Sequence, residues 1–565
     1  MTILETYETW LAYAADDPDL QTELKTLPGD ENSPELRDRF YRNLEFGTGG
    51  LRGVLGAGSN RMNIYTVRAA TQGLAEYMHA AHLEKKAAIA YDSRIKSGLF
   101  AKEAARVLAA NGITAFLYPR LMPTPALSFA VRNIKCGAGI CITASHNPAG
   151  YNGYKVYDAD GCQITPQAAE EIQALIPAGI FRSVKLVDFE TAVGEGNIQY
   201  IGEHVIEAYL DVVKKQRINQ NIPSVKVVYT PLNGAGLECV TRVLRETKLA
   251  DVTVVPGQDV PDGSFPTCPY PNPEEEAALE KGLALCRGMR PDLLLATDPD
   301  CDRVGIAARE NGGYRRLSGN EAGILLFHYI CEQRAANRTM PGKPVAVKTI
   351  VTTDMAAKVA KQYGVELWEV PTGFKYIGDC IRALEQNGKA GSYIFGFEES
   401  CGYLSGAYVR DKDAVGASLL ICEMAGYYKQ RGLSLPMALE KLYEEYGFYK
   451  DKLCSLTFTG EGGSLKMQDF MQALRASPPA SFGGFDVLET KDYLKNAYFE
   501  NADYRIPVRP DVLEFRLAKD CKIIIRPSGT EPKMKIYLSA YADSHREAER
   551  NLEKLSQLPI LRPCL

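Results

Sequence analysis

The sequence predicts three related α/β domains with mixed or parallel sheets, followed by a C-terminal α+β domain. At 565 residues the chain is too long for one hydrophobic core, because a single core stops growing near ~250–300 residues. An order of strand, helix, strand and strand occurs three times, and each occurrence ends in a polar cluster. The last part of the chain breaks this order, so we assign it to a different fold class.

The first occurrence follows the glycine-rich stretch FGTGGLRG at residues 46–53. Apolar runs predict buried strands at 87–92, 113–118 and 137–142, and a 3.6-residue period predicts a helix at 99–112. The polar cluster TASHNP follows the last strand directly. Open α/β sheets bind ligands beyond the carboxyl ends of their strands, so this cluster is a candidate ligand-binding loop.

The second and third occurrences repeat this plan. Strands are predicted at 225–230, 252–257 and 292–297, with DPDCDR after the last of them. Strands are predicted again at 344–351, 365–370 and 392–397, with a helix from Asp354 and the cluster EES at the end. Alternating strands and helices favour open sheets covered on both faces.

The C-terminal stretch 521–541 predicts two strands joined by a glycine turn, and 544–558 predicts a helix. We therefore expect four domains, at residues 1–208, 209–318, 319–447 and 448–565.

Composition excludes several classes of function. Apolar residues make up 45% and charged residues 24% of the chain, and the net charge is -5 with basic residues dispersed among acidic ones. We expect no nucleic-acid partner and no membrane partner. The fourteen cysteines are scattered without CxxC pairs, the N-terminus has no basic leader, and no long apolar run occurs. These features are typical of a cytoplasmic protein.

DPDCDR places Asp298, Asp300 and Asp302 at alternating positions. Three carboxylates in a short loop suit Mg²⁺, which prefers oxygen ligands and keeps positions for water or phosphate. The EF-hand pattern fails, because Arg303 stands where it needs glycine and Arg309 where it needs glutamate. An Asx-rich turn is the alternative.

RPSGTEPK places Arg526 and Lys533 around a Ser-Gly-Thr turn. Hydroxyls, backbone N–H groups and a guanidinium together form a site for a phosphate dianion. The alternative is an ordinary hairpin turn with a surface arginine. No nucleotide P-loop pattern occurs in the chain.

Ser145 lies in TASHNP without the G-x-S-x-G pattern of a hydrolase nucleophile. It either caps a turn or carries a phosphoryl group, and the metal and phosphate motifs favour the second interpretation. In GFEES, Glu398 and Ser400 could bind sugar hydroxyls or belong to a plain polar loop. Four cations could neutralise phosphoryl charge or move a proton, or could be solvated surface charges: Arg52, Lys155, Lys375 and Lys412.

These motifs occur in the order found in the α-D-phosphohexomutases, and the chain resembles this phosphoglucomutase/phosphomannomutase superfamily. FGTGGLRG, TASHNPAGYNGYK, DPDCDR, GFEES and RPSGTEPK span residues 46–537 with their flanks. The resemblance implies four domains around a central cleft and a phosphoserine enzyme that requires one Mg²⁺ per chain. The spelling of DPDCDR and GFEES is similar to the branch with bacterial-type phosphoglucomutases and animal phosphopentomutases.

The resemblance also implies roles for individual residues. Ser145 would carry the phosphoryl group, and Asp298, Asp300 and Asp302 would bind the metal together with a phosphoserine oxygen. His146, Lys155 and Arg52 would border the reacting centre. The substrate would be bound by Thr372, Gly373, Lys375, Glu398, Ser400, Lys412, Arg303, Arg526, Ser528, Gly529 and Thr530. Phe374 replaces the histidine of some mannose-accepting members, which favours glucose over a dual preference.

The implied reaction interconverts α-D-glucose 1-phosphate and glucose 6-phosphate, with glucose 1,6-bisphosphate as intermediate and activator. A small sugar phosphate is the only partner expected, for a monomer or homodimer. A phosphopentomutase, a sugar-bisphosphate synthase, a phosphosugar phosphatase and a silent phosphosugar-binding protein remain alternatives.

Overall fold

A computed structural model describes residues 2–47, 50–458, 463–496, 499–500, 503–506, 508–527 and 533–557. The chain forms two compact units: the first comprises Met1–Arg316 and Gly402–Tyr427, and the second comprises Leu317–Cys401 and Tyr428–Leu565.

The helices are α1 (Ile3–Tyr13), α2 (Pro18–Thr26), α3 (Pro34–Phe40), α4 (Ile64–Ala80), α5 (Ser97–Ala110), α6 (Thr124–Ile134), α7 (Pro166–Ala174), α8 (Phe189–Gly194), α9 (Glu203–Lys214), α10 (Gly236–Glu246), α11 (Glu276–Met289), α12 (Gly319–Ala336), α13 (Met355–Tyr363), α14 (Phe374–Gln386), α15 (Ala414–Lys429), α16 (Leu435–Tyr446), α17 (Gly463–Ala476) and α18 (His545–Ser556). The strands are β1 (Gly50–Val54), β2 (Lys86–Tyr91), β3 (Thr114–Leu117), β4 (Ala138–Ile142), β5 (Tyr151–Asp158), β6 (Ile198–Tyr200), β7 (Val225–Thr230), β8 (Ala250–Val254), β9 (Leu293–Thr297), β10 (Val304–Glu310), β11 (Gly313–Leu317), β12 (Val345–Thr349), β13 (Glu366–Val370), β14 (Tyr393–Glu398), β15 (Gly402–Leu404), β16 (Phe448–Thr457), β17 (Ser481–Phe482), β18 (Phe485–Asp492), β19 (Leu513–Leu517), β20 (Lys522–Pro527) and β21 (Lys533–Ala542).

The first unit contains two mixed sheets. In the first sheet, with order β1-β5-β4-β2-β3-β6, strands β4, β2, β3 and β6 are parallel and β5 runs antiparallel to β4 and β1. In the second sheet, with order β11-β10-β9-β7-β8, β9 and β8 are parallel to β7 and β10 is antiparallel to β9. TASHNP and DPDCDR therefore each join a buried parallel strand to an antiparallel neighbour.

The second unit contains a parallel arrangement of β13, β12 and β14 and a separate antiparallel sheet. The antiparallel sheet has the order β16-β21-β20-β19-β18-β17, and its core includes Leu555 of α18. The predicted fold class, three α/β regions followed by an α+β region, is confirmed. The antiparallel strands β5 and β10 were not predicted individually.

The N-terminal helices α1–α3 share one hydrophobic core with the first sheet. The indole of Trp10 is buried and meets the ring of Tyr65 edge-on at 5.7 Å between centroids. Lys96 Nζ lies 2.7 Å from Asp17 Oδ2, at the N-cap of α2. The N-terminal segment is thus part of the first α/β domain's core.

Each of the three polar loops contains one non-glycine residue with a left-handed backbone. These are Ser145 with φ 52°, Cys301 with φ 54° and Cys401 with φ 60°. Such a conformation costs about 1–3 kcal/mol and persists where the surrounding structure enforces it, often at functional sites. Within the described part of the chain, we find no helix with both the length and the apolar content needed to span a bilayer.

Candidate active site

Ser145 lies at the carboxyl end of β4, where the strand leaves the sheet. Its hydroxyl donates to Asp298 Oδ2 at 2.8 Å, and its backbone N–H donates to Thr143 Oγ1 at 2.8 Å. The side chain is almost completely buried. The two strand-end loops of the first unit therefore meet at this hydroxyl.

Asp298, Asp300 and Asp302 form a buried carboxylate cluster, called the Asp298 cluster below. Each offers an oxygen, and these three oxygens lie within 4.8 Å of one another. Asp298 Oδ1 accepts from the backbone N–H groups of Asp302 at 3.1 Å and Arg303 at 3.0 Å, which fixes its direction. Among the residues that the structure describes, no donor reaches Oδ1 of Asp300 or Asp302, although both atoms are buried.

The electrostatics of this cluster fit a divalent cation. Burial, and then the neighbouring Asp300 and Asp302, raise the pKa of the Asp298 carboxyl well above its ordinary value. A bound cation removes this repulsion and satisfies the buried oxygens that lack a donor. The cluster could therefore hold a metal ion of the oxygen-preferring type.

Two lysines surround the carboxylates. Lys155 Nζ, on β5, lies 2.7 Å from Asp300 Oδ2 and 3.3 Å from Asp302 Oδ2, and Lys412 Nζ lies 3.2 Å from Asp302 Oδ2. Burial opposes the charge of Lys155, but Asp300 and Asp302 outweigh burial and raise its pKa. Burial likewise opposes ionisation of Asp302, but Lys412 and Lys155 hold its pKa far below the usual range. Lys155 is thus a fixed cation, and Lys412 is held against Asp302.

Three further predicted residues lie in the same unit. His146 Nδ1 is 3.3 Å from Ser145 Oγ, and burial, with Arg303 and Arg52, lowers the imidazole pKa well below its usual value, so the ring is neutral at pH 7. Arg52 Nη1 donates to Asn147 Oδ1 at 3.1 Å. Arg303 Nη1 donates to Glu274 Oε1 at 2.9 Å.

The second unit gathers most of the predicted sugar-binding residues. The backbone N–H of Gly373 donates to Glu398 Oε1 at 3.0 Å, at the start of α14. Thr372 Oγ1 is buried, and the described residues offer it no hydrogen-bond partner. Lys375 is buried with its Nζ 5.3 Å from the ring centre of Tyr376. Ser400 is half-buried in the loop after β14.

Arg526 is half-buried near the end of β20, opposite Lys535 of β21. Burial raises the pKa of Tyr376 to about 12, and the nearby Arg526 guanidinium partly offsets this effect. The predicted phosphate ligands Ser528, Gly529 and Thr530 lie outside the described residues.

Sequence reasoning missed two side chains that contact the cluster of Asp298, Asp300 and Asp302 or its lysines, and a third that contacts one of these two. Thr124 Oγ1, at the start of α6, donates to Asp300 Oδ2 at 2.9 Å. Asp411 Oδ1 lies 2.9 Å from Lys412 Nζ, and Asp411 Oδ2 accepts from the Tyr157 hydroxyl at 2.7 Å. Asp411 could have been suspected from its place beside Lys412, but nothing in the sequence around Thr124 or Tyr157 signals these contacts.

The chain is similar to known proteins over most of its length. Family models match at residues 43–183, 207–313 and 318–446, and they describe the α/β/α domains I, II and III of phosphoglucomutase/phosphomannomutase. A phosphoglucomutase of Staphylococcus saprophyticus is 35% identical over 93% of this chain and 95% of its own, and one of Staphylococcus aureus is 36% identical over 94% and 95%. The crystal structure of the Paramecium phosphoglucomutase parafusin covers 91% of this chain and 95% of its own, at 17% identity and a TM-score of 0.67.

Proposed function

Because this chain belongs to the phosphoglucomutase/phosphomannomutase family, we propose that it interconverts α-D-glucose 1-phosphate and glucose 6-phosphate. The observation that carries the proposal is the hydroxyl of Ser145, 2.8 Å from a carboxylate of the Asp298 cluster. A serine in that position can carry a phosphoryl group beside a divalent cation. No feature of the described residues favours a phosphopentomutase, a sugar-bisphosphate synthase, a phosphosugar phosphatase or a silent binding protein over this reaction.

We assign Asp298, Asp300 and Asp302 to one Mg²⁺ per chain. When bound, Mg²⁺ supplies positive charge that stabilises the transferring phosphoryl group. Phosphoryl transfer asks the protein mainly for positioning and charge stabilisation. Lys155 and Lys412 would supply further charge, because each amino group lies against carboxylates of the loop. His146 Nδ1 is placed to take up or return the hydroxyl proton of Ser145.

The reaction cycle uses both phosphates of one intermediate. Phospho-Ser145 gives its phosphoryl group to the free hydroxyl of the sugar monophosphate, and the serine hydroxyl is restored. The product is glucose 1,6-bisphosphate, which turns around and returns its other phosphate to Ser145. Glucose 1,6-bisphosphate is therefore the activator that phosphorylates resting enzyme.

We assign substrate binding to the residues that the sequence motifs predict. Glu398, whose Oε1 accepts from Gly373 N–H, would bind vicinal sugar hydroxyls together with Ser400 and Thr372. Arg526, with Ser528, Gly529 and Thr530, would bind the phosphate that does not react. Lys375, Lys412 and Arg303 would counter phosphate charge, and Arg52 would contact the transferring group. Phe374 cannot act as an acid or base, which supports glucose as the preferred sugar.

We further propose four domains, at 1–208, 209–318, 319–447 and 448–565, in a cytoplasmic monomer or homodimer. The partner is a small sugar phosphate, without nucleic acid or membrane, since acidic and basic residues are interspersed along the chain.

The test compares glucose 1-phosphate with ribose 1-phosphate as substrates, with and without catalytic glucose 1,6-bisphosphate. We expect glucose 6-phosphate from glucose 1-phosphate at a higher kcat/KM than for the pentose, and a rate that depends on the bisphosphate. Preference for ribose 1-phosphate would identify a phosphopentomutase. Net accumulation of bisphosphate would identify a synthase, and steady release of inorganic phosphate a phosphatase. If neither sugar phosphate were turned over, the chain would be a silent phosphosugar-binding protein.

A further inference from the structure

Arg94 is a buried arginine in the loop after β2, and its guanidinium binds the loop that carries Ser145. It donates to the backbone carbonyls of Ser145 at 2.6 Å, Pro148 at 2.9 Å and Tyr151 at 3.0 Å. It also donates to the carbonyl of Asn147. One side chain therefore binds four carbonyls in a stretch of seven residues.

These carbonyls need such a donor because the loop departs from the sheet. Ser145 has a left-handed backbone, and residues 143–150 lie between β4 and β5, so the carbonyls of Ser145, Asn147 and Pro148 stand outside the strands. Of these, the Pro148 carbonyl also accepts from the backbone N–H of Tyr151. A buried carbonyl without a donor costs about 1–3 kcal/mol. Arginine is the side chain that can serve several carbonyls at once, because its planar guanidinium carries five N–H donors.

Arg94 is itself held in place from two sides. Its Nε lies 3.5 Å from Asp92 Oδ2, and its guanidinium carbon lies 5.0 Å from the ring centre of Phe265. Gly263 pairs with Arg94 in a backbone bridge, and a Cβ at position 263 would lie 2.3 Å from the N of Ile95. Phe265 and Gly263 belong to the loop between β8 and α11, so this loop and the serine loop share one arginine.

We propose that Arg94 is a positioning residue, which fixes the loop from Ser145 to Tyr151 so that the Ser145 hydroxyl faces the Asp298 cluster. This inference rests on the proposed phosphoryl transfer. Arg94 touches the carbonyls of the loop, and it acts on the reaction through the position of Ser145. A misplacement of about 1 Å at a reacting group can reduce a rate about a hundredfold.

The test replaces Arg94 by lysine and compares it with Arg217→Lys. Lysine keeps the charge but has three donors on one nitrogen, so it cannot serve the four carbonyls together. Arg217 is a matched control, because its guanidinium likewise donates to several backbone carbonyls. These are the carbonyls of Thr247, Asn219 and Gln220, and none of them belongs to the Ser145 loop. The rate of amide hydrogen exchange in the peptide 143–151 measures how firmly the loop is held. Steady-state kinetics measure kcat and KM of the reaction.

For Arg94→Lys we expect exchange in 143–151 to accelerate at least about tenfold, because local hydrogen bonds are lost. We expect kcat to fall about a hundredfold with KM changed less than about threefold. Arg217→Lys should leave both quantities within about threefold of wild type. Faster loop exchange without loss of kcat overturns the inference, and so does loss of kcat with unchanged loop exchange.

Phe265→Leu provides a second variant if Arg94→Lys does not fold. It keeps the arginine and removes the ring against its guanidinium, so a smaller change in the same direction is expected in both measurements. Unchanged exchange and unchanged kcat in this variant would contradict the inference. An inactive wild-type protein would instead refute the proposed function, and loop exchange would still decide whether Arg94 holds the loop.

Discussion

The hydroxyl of Ser145 donates to Asp298 Oδ2 at 2.8 Å, across 153 positions of sequence. The contact joins two loops that each follow a buried strand of a different sheet. The contact places a candidate phosphoryl carrier, Ser145, against the candidate metal-binding carboxylates.

Asp298→Asn should abolish the stabilisation by Mg²⁺ without destabilising the metal-free protein. The substitution removes one of three buried carboxylates whose repulsion raises the pKa of Asp298. Mg²⁺ at about a hundred times its Kd should stabilise the wild type by about 2.7 kcal/mol, measured as a rise in thermal midpoint. Asp251→Asn, at an exposed position, is the control. If Mg²⁺ stabilised Asp298→Asn as much as the wild type, the metal would bind at another site.

Gly319→Ala should disturb the loop that carries Glu398 and Ser400. A Cβ at Gly319 would lie 1.8 Å from the carbonyl oxygen of Glu399 and 2.6 Å from the N of Cys401, so the loop must shift. Such overpacking costs about 1–3 kcal/mol. We expect KM for the sugar phosphate to rise about tenfold or more, since about 1.4 kcal/mol corresponds to a factor of ten.

The control for that variant is Gly342→Ala, because a Cβ at Gly342 meets no atom within 4 Å. Its KM should equal that of the wild type. An unchanged KM in Gly319→Ala would show that the loop with Glu398 and Ser400 does not contribute to substrate binding.

Lys348→Met should strongly destabilise the second unit. Lys348 Nζ is fully buried, 3.0 Å from Asp354 Oδ1 and 2.8 Å from Glu369 Oε1. Removing the cation leaves Glu369 without this partner and Asp354 with Lys522 alone, at a cost of up to about 3–5 kcal/mol in the free energy of unfolding. Urea unfolding measures the change, and the exposed Lys343→Met should stay within about 0.5 kcal/mol of wild type. A loss below about 1 kcal/mol in Lys348→Met would contradict this role of Lys348 in the second unit.

Asp354→Asn should reveal how the same network responds to pH. Burial opposes ionisation of Asp354, but Lys522 and Lys348 outweigh burial and hold its pKa far below the usual range. A carboxylate with a lowered folded-state pKa stabilises the fold above its unfolded-state pKa, near ~3.9, and this contribution is lost as the pH falls below that value. The wild type should therefore exceed Asp354→Asn in thermal midpoint at pH 7, by a margin that narrows between about pH 5 and pH 3.

A margin that stays constant over that pH range would mean that Asp354 does not titrate with the fold. The Lys343→Met protein, carried through the same pH series, separates this specific effect from general acid denaturation.

The sequence predicts the loops of the site better than their contacts. Ser145, the Asp298 cluster and Glu398 could be found because polar residues directly follow apolar strands, which is a local pattern. Lys155 was a candidate from its motif, but its contact with Asp300 depends on β5 running antiparallel beside β4. Pairing between strands is a non-local property, so residue order alone does not reveal it.

Arg94 and Thr124 show the same limit. Both lie far along the chain from the groups that they contact, Arg94 from the carbonyl of Ser145 and Thr124 from the carboxylate of Asp300. Neither lies in a motif that signals phosphate or metal chemistry. Their contacts follow from the packing of sheets and loops, which the sequence pattern does not specify residue by residue.

The most direct measurement is the mass of the peptide that contains Ser145, taken after incubation with Mg²⁺ and glucose 1,6-bisphosphate whose phosphates carry heavy oxygen, and again after addition of unlabelled glucose 1-phosphate. The account predicts a gain of one labelled phosphate on Ser145, which the unlabelled phosphate of the substrate then replaces. Ser145→Ala should show no such gain and should lose activity about a thousandfold or more, and Ser183→Ala, at an exposed position, should match wild type. A labelled phosphate that stays on Ser145 while the substrate turns over, or full activity in Ser145→Ala, would contradict it.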